Sequence, residues 1–254
     1  NTIIGGLAGD AIIAGNYNVA LGYQALSTED NGSSNTAIGA FSLMTQDAGV
    51  DAFNTAVGYA AGYLTTTGVR NTLIGGNSGD ALTTGSDNVA IGYGALTTED
   101  AHGRNIAIGM NALATQNAGA DAYNVAIGYT AGALVTTGIN NTLIGGLAGD
   151  ALTTGQYNVA LGYNALSAED GHGKNVAIGV NALMTQDAGT DAYNVAVGHN
   201  SGHLISTGTQ NTLIGGLAGM ALTSGGENVA IGYAALISED ANGRNVAIGK
   251  SALT

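Results

Sequence analysis

The sequence predicts an all-β protein folded as a parallel β-solenoid. A short apolar block recurs throughout the 254 residues, and each block begins with Asn and has Gly at its fifth position. Segments such as NVAIG and NTLIG are short, β-branched and bounded by turn residues, which is typical of strands. A strand that recurs with every such block fits one coil of a solenoid, in which successive strands stack in parallel.

The spacing between blocks follows a longer pattern. The block starts are spaced 17, 17, 19 and 17 apart before the series repeats, so four blocks form a 70-residue superrepeat. Each coil is expected to be as long as one of these spacings. We expect 1–254 to be one repetitive solenoid segment of a longer chain, with superrepeats at 1–70, 71–140, 141–210 and a partial 211–254. The blocks begin at Asn1, Asn18, Asn35, Asn54, Asn71, Asn88, Asn105, Asn124, Asn141, Asn158, Asn175, Asn194, Asn211, Asn228 and Asn245.

Alternation along the strand assigns the block positions to two faces. The second and fourth residues, such as Val19 and Leu21 or Val89 and Ile91, are predicted to fill the coil interior. The third residue is then predicted to face outward, as a row of Ala at 20, 37, 56, 90, 107, 126, 160, 177, 196, 230 and 247. In one block of each superrepeat this residue is larger, as Ile3, Leu73, Leu143 and Leu213.

Three further positions have clear predictions. The opening Asn is expected to stack as a ladder, with its amide bonded to turn backbone and to the Asn one coil away. The Gly at the fifth position allows a positive φ or a close backbone approach. The eighth residue is always Ala or Ser, which allows two walls of a narrow coil to approach each other.

Composition excludes several partner classes. The formal net charge is −13 with only five basic residues, so binding to nucleic acid or to anionic membranes is not expected. No apolar run is long enough for a transmembrane helix. Cys is absent, which removes disulfides, thiolate nucleophiles and Cys-based zinc sites.

The blocks NVAIGYGAL at 88–96, NIAIGMNALA at 105–114 and NVAIGVNAL at 175–183 carry a resemblance to a known family. They resemble the head repeats of trimeric autotransporter adhesins, and also β-roll segments of bacteriophage tail fibres. The resemblance implies a left-handed parallel β-roll in which three chains pack side by side. The family's repeat is shorter than the blocks of this chain. A three-sided left-handed β-helix, suggested by the hexapeptide IGGLAG at 4–9, is the alternative fold.

Several motifs are candidates for chemistry, and each also has a plain structural interpretation. Acidic pairs in the loops could bind a cation or act as acid and base on a glycan, but we expect them to be solvated: Glu29/Asp30, Glu99/Asp100, Glu169/Asp170, Glu239/Asp240, Asp47/Asp51 and Asp187/Asp191. GGLAGD at 5–10 and 145–150 departs by one residue from the calcium-binding nonapeptide, and His199 and His203 lack a helix that would align them. Tyr23, Tyr93, Tyr163 and Tyr233 share one block position and fit packing, oligomer contact or weak sugar binding.

Repetition also argues against catalysis, because an active site joins unlike groups in one concave place. The sequence therefore predicts no enzyme, no catalytic or cofactor-binding residue, no metal ligand and no cofactor. The predicted function is a structural and adhesive fibre segment of a cell-surface adhesin or phage tail fibre, located outside the cell or on a virion. Its predicted partners are copies of itself, with a trimer favoured and the Ala row at the shared axis, and a cell-surface glycan or protein.

Two other functions fit parts of the pattern. An ice-binding solenoid would use the Thr-rich turns, although no Thr-x-Thr array recurs on a strand in every coil. A glycan-cleaving β-helix of a phage tailspike would use the loop carboxylates, but it would need an irregular groove.

Overall fold

The computed structural model describes residues 1–254, and its only regular elements are short parallel strands. Each strand covers the second to fourth residues of one block, and no helix is present. This confirms the predicted all-β solenoid. The fifteen strands are β1 (Thr2–Ile4), β2 (Val19–Leu21), β3 (Thr36–Ile38), β4 (Thr55–Val57), β5 (Thr72–Ile74), β6 (Val89–Ile91), β7 (Ile106–Ile108), β8 (Val125–Ile127), β9 (Thr142–Ile144), β10 (Val159–Leu161), β11 (Val176–Ile178), β12 (Val195–Val197), β13 (Thr212–Ile214), β14 (Val229–Ile231) and β15 (Val246–Ile248).

The chain divides into two compact units, Asn1–Asn124 and Val125–Thr254. In the N-terminal unit, strands β1 to β7 pair in chain order, each parallel to the next. In the C-terminal unit, strands β8 to β15 pair in the same way. Paired residues of adjacent strands are 17 positions apart in the sequence, as Val159 and Val176 are. The separation is larger where a longer block lies between the two strands, as between Val176 and Val195. The handedness of the coils stays a prediction.

The two faces of the strand are the reverse of the prediction. The third residue points inward, and Ala90, Ala160 and Leu143 are fully buried. The second and fourth residues, Val89 and Ile91, lie on the outer side and are half-buried. The prediction failed because it placed the larger apolar side chains inside, whereas the narrow coil leaves room only for Ala beneath most strands.

Leu side chains from the turns fill much of the interior. The ninth block residue is Leu in many coils, and Leu26, Leu96 and Leu166 are wholly buried there. Where the ninth residue is Gly, the third residue can enlarge: a Cβ on Gly79 would lie 2.7 Å from Leu73 Cδ2. A Cβ on Gly62, the ninth residue of the preceding coil, would also lie 2.7 Å from Leu73 Cδ1, so Leu73 fills the space that the ninth-position Gly residues of two consecutive coils leave.

The predicted Asn ladder is confirmed. The side-chain oxygen of Asn18 accepts a hydrogen bond from the backbone N–H of Asn35 at 2.9 Å. The amide nitrogen of Asn18 donates to the carbonyl of Gly32 at 2.9 Å. The same pair of contacts recurs at Asn71, whose oxygen accepts from Asn88 at 3.0 Å and whose nitrogen donates to the turn at 2.8 Å. Asn18 and Asn71 thus each bond both their own turn and the next coil. The amide nitrogens of Asn35, Asn105 and Asn175 have no hydrogen-bond partner, so the ladder there is carried by the side-chain oxygen alone.

The fifth-position Gly is required by both conformation and space. Gly145 has a φ of 134°, and a Cβ built on it would lie 2.4 Å from the carbonyl oxygen of Gly162 in the next coil. A side chain would therefore push two coils apart at the end of the strand. The eighth residue, by contrast, points inward, and Ala25 and Ala165 are fully buried, as predicted.

The chain offers no candidate membrane-spanning helix, because none of its elements is helical.

Candidate functional site

An apolar stripe covers the outer side of the strands in each unit. The fourth block residue is always Ile, Leu or Val, and parallel register places each one beside its neighbour in the next coil. In the C-terminal unit, Leu161 is 43% exposed and Ile214 is 40% exposed. Contiguous exposed apolar residues of this kind mark interaction surfaces. We call this row the outer strand stripe.

Tyrosine side chains lie two residues beyond the strand ends. Tyr23, Tyr93, Tyr163 and Tyr233 are between 51% and 61% exposed. Each ring lies against the Gly at the same position one coil earlier; a Cβ on Gly146, for example, would be 3.5 Å from Tyr163 Cδ2. The rings are thus held on the surface by packing within the chain, with one side open to a partner.

One aromatic cluster enlarges this surface in the N-terminal unit. Phe41 contacts Tyr23, Tyr59 and Tyr63 edge to face, with ring centroids 5.5, 5.8 and 6.3 Å apart. Phe41, Tyr59 and Tyr63 also line an open depression of ≈ 430 Å³. Aromatic rings beside a shallow depression suit contact with an apolar or sugar surface.

Four of the five basic residues are paired with acids on the surface. The Arg70 guanidinium donates to Asp87 at 2.5 Å, and its presence lowers the pKa of that carboxyl. Arg104 and Lys174 each bridge an Asp and a Tyr, at Asp121/Tyr123 and Asp191/Tyr193. Arg244 pairs with Glu227 at 3.1 Å. These pairs join neighbouring coils and leave few free cations for acidic ligands.

The acidic loops differ from the solvated pairs that the sequence predicted. Glu29, Glu99 and Glu169 are fully buried, whereas their neighbours Asp100 and Asp170 are exposed. Burial raises the pKa of all three Glu side chains, and it raises the pKa of Glu169 to about 7. The prediction of solvated loops is therefore wrong for these glutamates. They occupy the twelfth block position, which points inward in other coils as buried Leu82 and Leu152.

Glu169 lies in a cluster of four ligand-type side chains. One atom each from Glu169, Asp170, His172 and Asp187 lies within 4.8 Å of the others. The backbone N–H of His172 donates to Glu169 Oε1 at 3.0 Å, and His172 Nδ1 lies 3.7 Å from the same oxygen. The second oxygen, Oε2, and His172 Nδ1 have no hydrogen-bond partner. The cluster therefore contains two potential metal-ligand atoms, Glu169 Oε2 and His172 Nδ1, that no hydrogen bond within the protein uses.

Two related clusters occur at equivalent block positions. Glu99, Asp100 and His102 form the second, with the same 3.7 Å separation between Glu99 Oε1 and His102 Nδ1. Asn117 takes the place that Asp187 has in the sequence of the first cluster.

The third cluster has Glu29, Asp30 and Asp47 but no His, because Gly32 stands at that position. Both oxygens of its buried carboxylate have hydrogen-bond partners, unlike those of Glu99 and Glu169. Glu29 Oε2 accepts from Ala48 N–H at 3.4 Å, and Oε1 accepts from Gly32 N–H. The fourth acidic pair differs, because Glu239 is half-buried and backbone N–H donors lower its pKa.

The Thr-rich turns hold the acidic loops in place. The Thr153 hydroxyl donates to the carbonyl oxygen of Asp170 at 2.8 Å, and Thr83 does the same to Asp100 at 2.7 Å. These hydroxyls are therefore used within the solenoid rather than offered as a water-ordering array. The burial of Glu99 and Glu169 likewise counts against their use as general acids on a polymeric glycan.

The remaining candidates do not come together as sites. His199 is exposed and His203 is half-buried, and neither belongs to any group of three ligand-type side chains. Asp10 and Asp150 of the two GGLAGD motifs are also outside these groups. Asp191 pairs with Lys174, and Asp51 is exposed.

No family model, curated protein or solved structure matches this chain. Its function must therefore be argued from its own residues. The buried glutamates are the functional candidates that sequence reasoning misjudged. Aligning the twelfth position across blocks offered a signal, since Leu82 and Leu152 there are each followed one coil later by Glu99 and Glu169. An acid that shares a position with Leu is expected to be buried.

Proposed function

We propose that this chain is a structural and adhesive fibre segment that assembles side by side with copies of itself through the outer strand stripe. The observation that carries the proposal is the unbroken row of half-buried and exposed Ile, Leu and Val at the fourth block position within each unit. Contiguous apolar residues at a protein surface commonly mark an interaction site. A second copy would remove the row from water, at about 25 cal/mol for each Å² of apolar surface buried.

The solenoid supplies the rigidity that a fibre needs. Strand pairing, the Asn ladder and backbone bonds at the turns join each coil to the next, as between Asn158 N–H and Asn141 Oδ1 at 3.0 Å. Each repeat depends on its neighbours, which is the stabilisation mode of solenoids. Shape and repetition, rather than one cleft, are therefore the properties that the fold offers.

The outer strand stripe replaces the Ala row as the proposed interface. Ala90, Ala107 and Ala126 are buried inside the coil and cannot contact a partner. The resemblance to trimeric adhesin heads and phage fibres supports a parallel trimer on a cell or virion surface. A parallel arrangement would bring identical rows of the three chains into register, as closed symmetry requires.

Adhesion would use the surfaces left open after assembly. The formal net charge of −13 disfavours nucleic acid and anionic membranes, so the expected ligand is a neutral glycan or a protein surface. Tyr93, Tyr163 and Tyr233 offer exposed ring faces at equivalent positions. Weak contacts at repeated sites add through avidity without any single tight site.

Light scattering on the purified chain tests the assembly. We expect a particle of three times the 24.9 kDa chain mass at micromolar concentration. Replacing Ile144, Leu161 and Ile178 by Lys is expected to give monomers, because charges on the stripe oppose burial. A control with Lys at exposed loop positions Ile13, Val50 and Thr190 is expected to keep the trimer.

Circular dichroism separates loss of assembly from loss of fold. The Lys variant must retain the β signal of the parent, and a milder variant with Thr at the same three stripe positions should weaken association without unfolding. Thr already occupies outer strand positions at Thr142 and Thr212. A parent chain that stays monomeric at micromolar concentration would refute the proposed assembly.

A further inference from the structure

A buried carboxylate oxygen without a partner needs a physical explanation. Glu169 is fully buried, and its Oε2 accepts no hydrogen bond from the protein. Leaving such a group unpaired costs about 1–3 kcal/mol or more. A hydrophobic residue at this position would avoid that cost, and the equivalent residue one coil earlier is buried Leu152. The carboxylate is therefore expected to meet a group that the chain itself does not supply.

The neighbouring side chains identify the chemistry of that group. Asp170 and Asp187 contribute one carboxylate oxygen each and His172 contributes one ring nitrogen, all within 4.8 Å of one another and of a Glu169 oxygen. Lys174, which lines the same depression as His172, is paired with Asp191 and Tyr193 rather than with the carboxylates of the cluster. Three carboxylates and an unpartnered imidazole nitrogen around one point call for a cation.

The backbone of each ligand residue is fixed before any ion arrives. Asp170 O accepts from Thr153 N–H at 2.5 Å, and Asp187 N–H donates to Ser206 O at 2.8 Å. Glu169 Oε1 is held by His172 N–H at 3.0 Å. The ligands thus come from two consecutive coils whose positions are set by the solenoid ladder. Such preorganisation lowers the entropy lost on binding.

We propose that Glu169, Asp170, His172 and Asp187 bind a divalent transition-metal cation of the Zn²⁺ type. An imidazole with carboxylates is a donor set that Zn²⁺ accepts in four-coordinate sites, whereas Ca²⁺ takes six to eight oxygens. Four atoms bonded to Zn²⁺ at about 2.1 Å lie about 3.4 Å apart, so small side-chain movements complete the site. His172 also lines an open depression of ≈ 260 Å³, which gives an ion a path of entry.

The second cluster is a weaker version of the same site. Glu99, Asp100 and His102 repeat three of the four ligands, and Glu99 Oε2 is also without a partner. Asn117 stands at the position of Asp187 and replaces the third carboxylate with a neutral amide. A bound ion at either place would connect neighbouring coils and neutralise a buried acid, so it would stabilise the folded chain by mass action.

Histidine NMR with Zn²⁺ titration tests the site on the full chain. The chain has four His residues, and one belongs to each of the two stronger clusters. We expect the imidazole signals of His172 to shift first and those of His102 at higher Zn²⁺ concentration. His199 and His203 serve as internal controls and should not shift. Isothermal titration in the same buffer should give one tight site per chain.

Exchanging Asp and Asn at the equivalent positions 187 and 117 of the two clusters gives a more specific test. D187N should weaken binding at His172 by about tenfold or more, because it removes one charged ligand. N117D should strengthen binding at His102 by a similar factor. E169Q, which keeps the side-chain shape, should abolish the tight site while circular dichroism stays unchanged.

Three outcomes would overturn the proposal. The first is the absence of any His172 shift with stoichiometric Zn²⁺ in the folded parent chain. The second is equal affinity in the parent and E169Q, which would place the ion elsewhere. The third is tighter binding of Ca²⁺ than of Zn²⁺, which would remove His172 as a ligand. These measurements do not depend on the oligomeric state, so they stand apart from the fibre proposal.

Discussion

Adjacent residues of strand β10 show how differently the two sides of a coil are used. Ala160 points inward and is fully buried, whereas Leu161 points outward and is 43% exposed. The smaller residue is inside and the larger one is outside, the reverse of the usual hydrophobic ranking. The interior is instead filled by Leu152 and Leu166 from the turns.

The difference shows that interior width, rather than hydrophobicity alone, selects residues in this solenoid. Where a turn contributes Gly instead of Leu, as at Gly79 and Gly149, the strand contributes Leu73 or Leu143. The outer side has no such limit, and its large apolar residues can be selected for contact with a partner. Inner positions should therefore be intolerant of change and outer positions tolerant.

The largest expected effect is from a charge placed on each side of the same strand. Ala160→Asp buries an unpaired carboxylate and should destabilise the C-terminal unit by about 4 kcal/mol or more. Leu161→Asp places the charge at the outer surface and should change the stability of the isolated chain by less than about 1 kcal/mol. Urea unfolding followed by circular dichroism measures both.

Equal stability losses in these two variants would contradict the assignment of the faces. Leu161→Asp should nevertheless lower the assembled mass, which light scattering can report on the same samples. A variant that loses assembly but not fold would separate the two roles of the strand.

The adjacent glycines Gly145 and Gly146 allow a similar comparison for the backbone, because only the first lies in close contact with the next coil. Gly145→Ala forces a Cβ to 2.4 Å from the Gly162 carbonyl oxygen at a φ of 134°, and should cost about 3 kcal/mol or more. Gly146→Ala brings its Cβ to an ordinary 3.5 Å from Tyr163 and should be neutral or slightly stabilising, by about 0.5 kcal/mol. Thermal unfolding distinguishes them, and similar melting temperatures would argue against the close coil contact.

The smallest predicted effect is on the pH dependence of stability, and it compares two glutamates at the twelfth block position. Glu169 is buried there, whereas Glu239 is half-buried. The folded chain keeps the Glu169 proton up to a pH of about 7, because burial raises its pKa, while the unfolded chain releases it near 4.5. The folded state therefore binds more protons across this window, and stability should fall as pH rises through it, on the order of 2 kcal/mol. Glu169→Gln should remove this loss in buffer with a metal chelator.

Glu239 should show the opposite sign. Backbone donors lower its folded pKa, so its contribution is present above the unfolded pKa and is lost as the pH falls. Glu239→Gln is thus the matched control for Glu169→Gln in pH-dependent unfolding. Because burial also raises the pKa of Glu29 and Glu99, the decisive quantity is the difference between the parent and Glu169→Gln. Equal changes of stability in the two proteins between pH 4.5 and about 7 would show that Glu169 is not desolvated as the structure has it.

Much of the fold was accessible from the sequence because it depends on period and local chemistry. The Asn-to-Gly blocks predicted every strand, and the small eighth residue predicted where the coil walls approach. The Asn ladder was predictable because a buried amide that recurs once per coil must bond to its neighbours. The site was less accessible: Glu169, Asp170 and Asp187 were named as acids, but His172 was not connected with them.

The sequence by itself determined the strand positions, the two coil lengths and the rows of equivalent residues, since these follow from repetition along the chain. Only the tertiary structure decided which strand face is inside and which acids are buried. The physical reason is that alternation fixes two faces without saying which one is inner. Which face is inner depends on the space that the Leu side chains of the turns leave, as Leu166 does beside Ala160. The burial of Glu169 depends on the neighbouring coils that surround it.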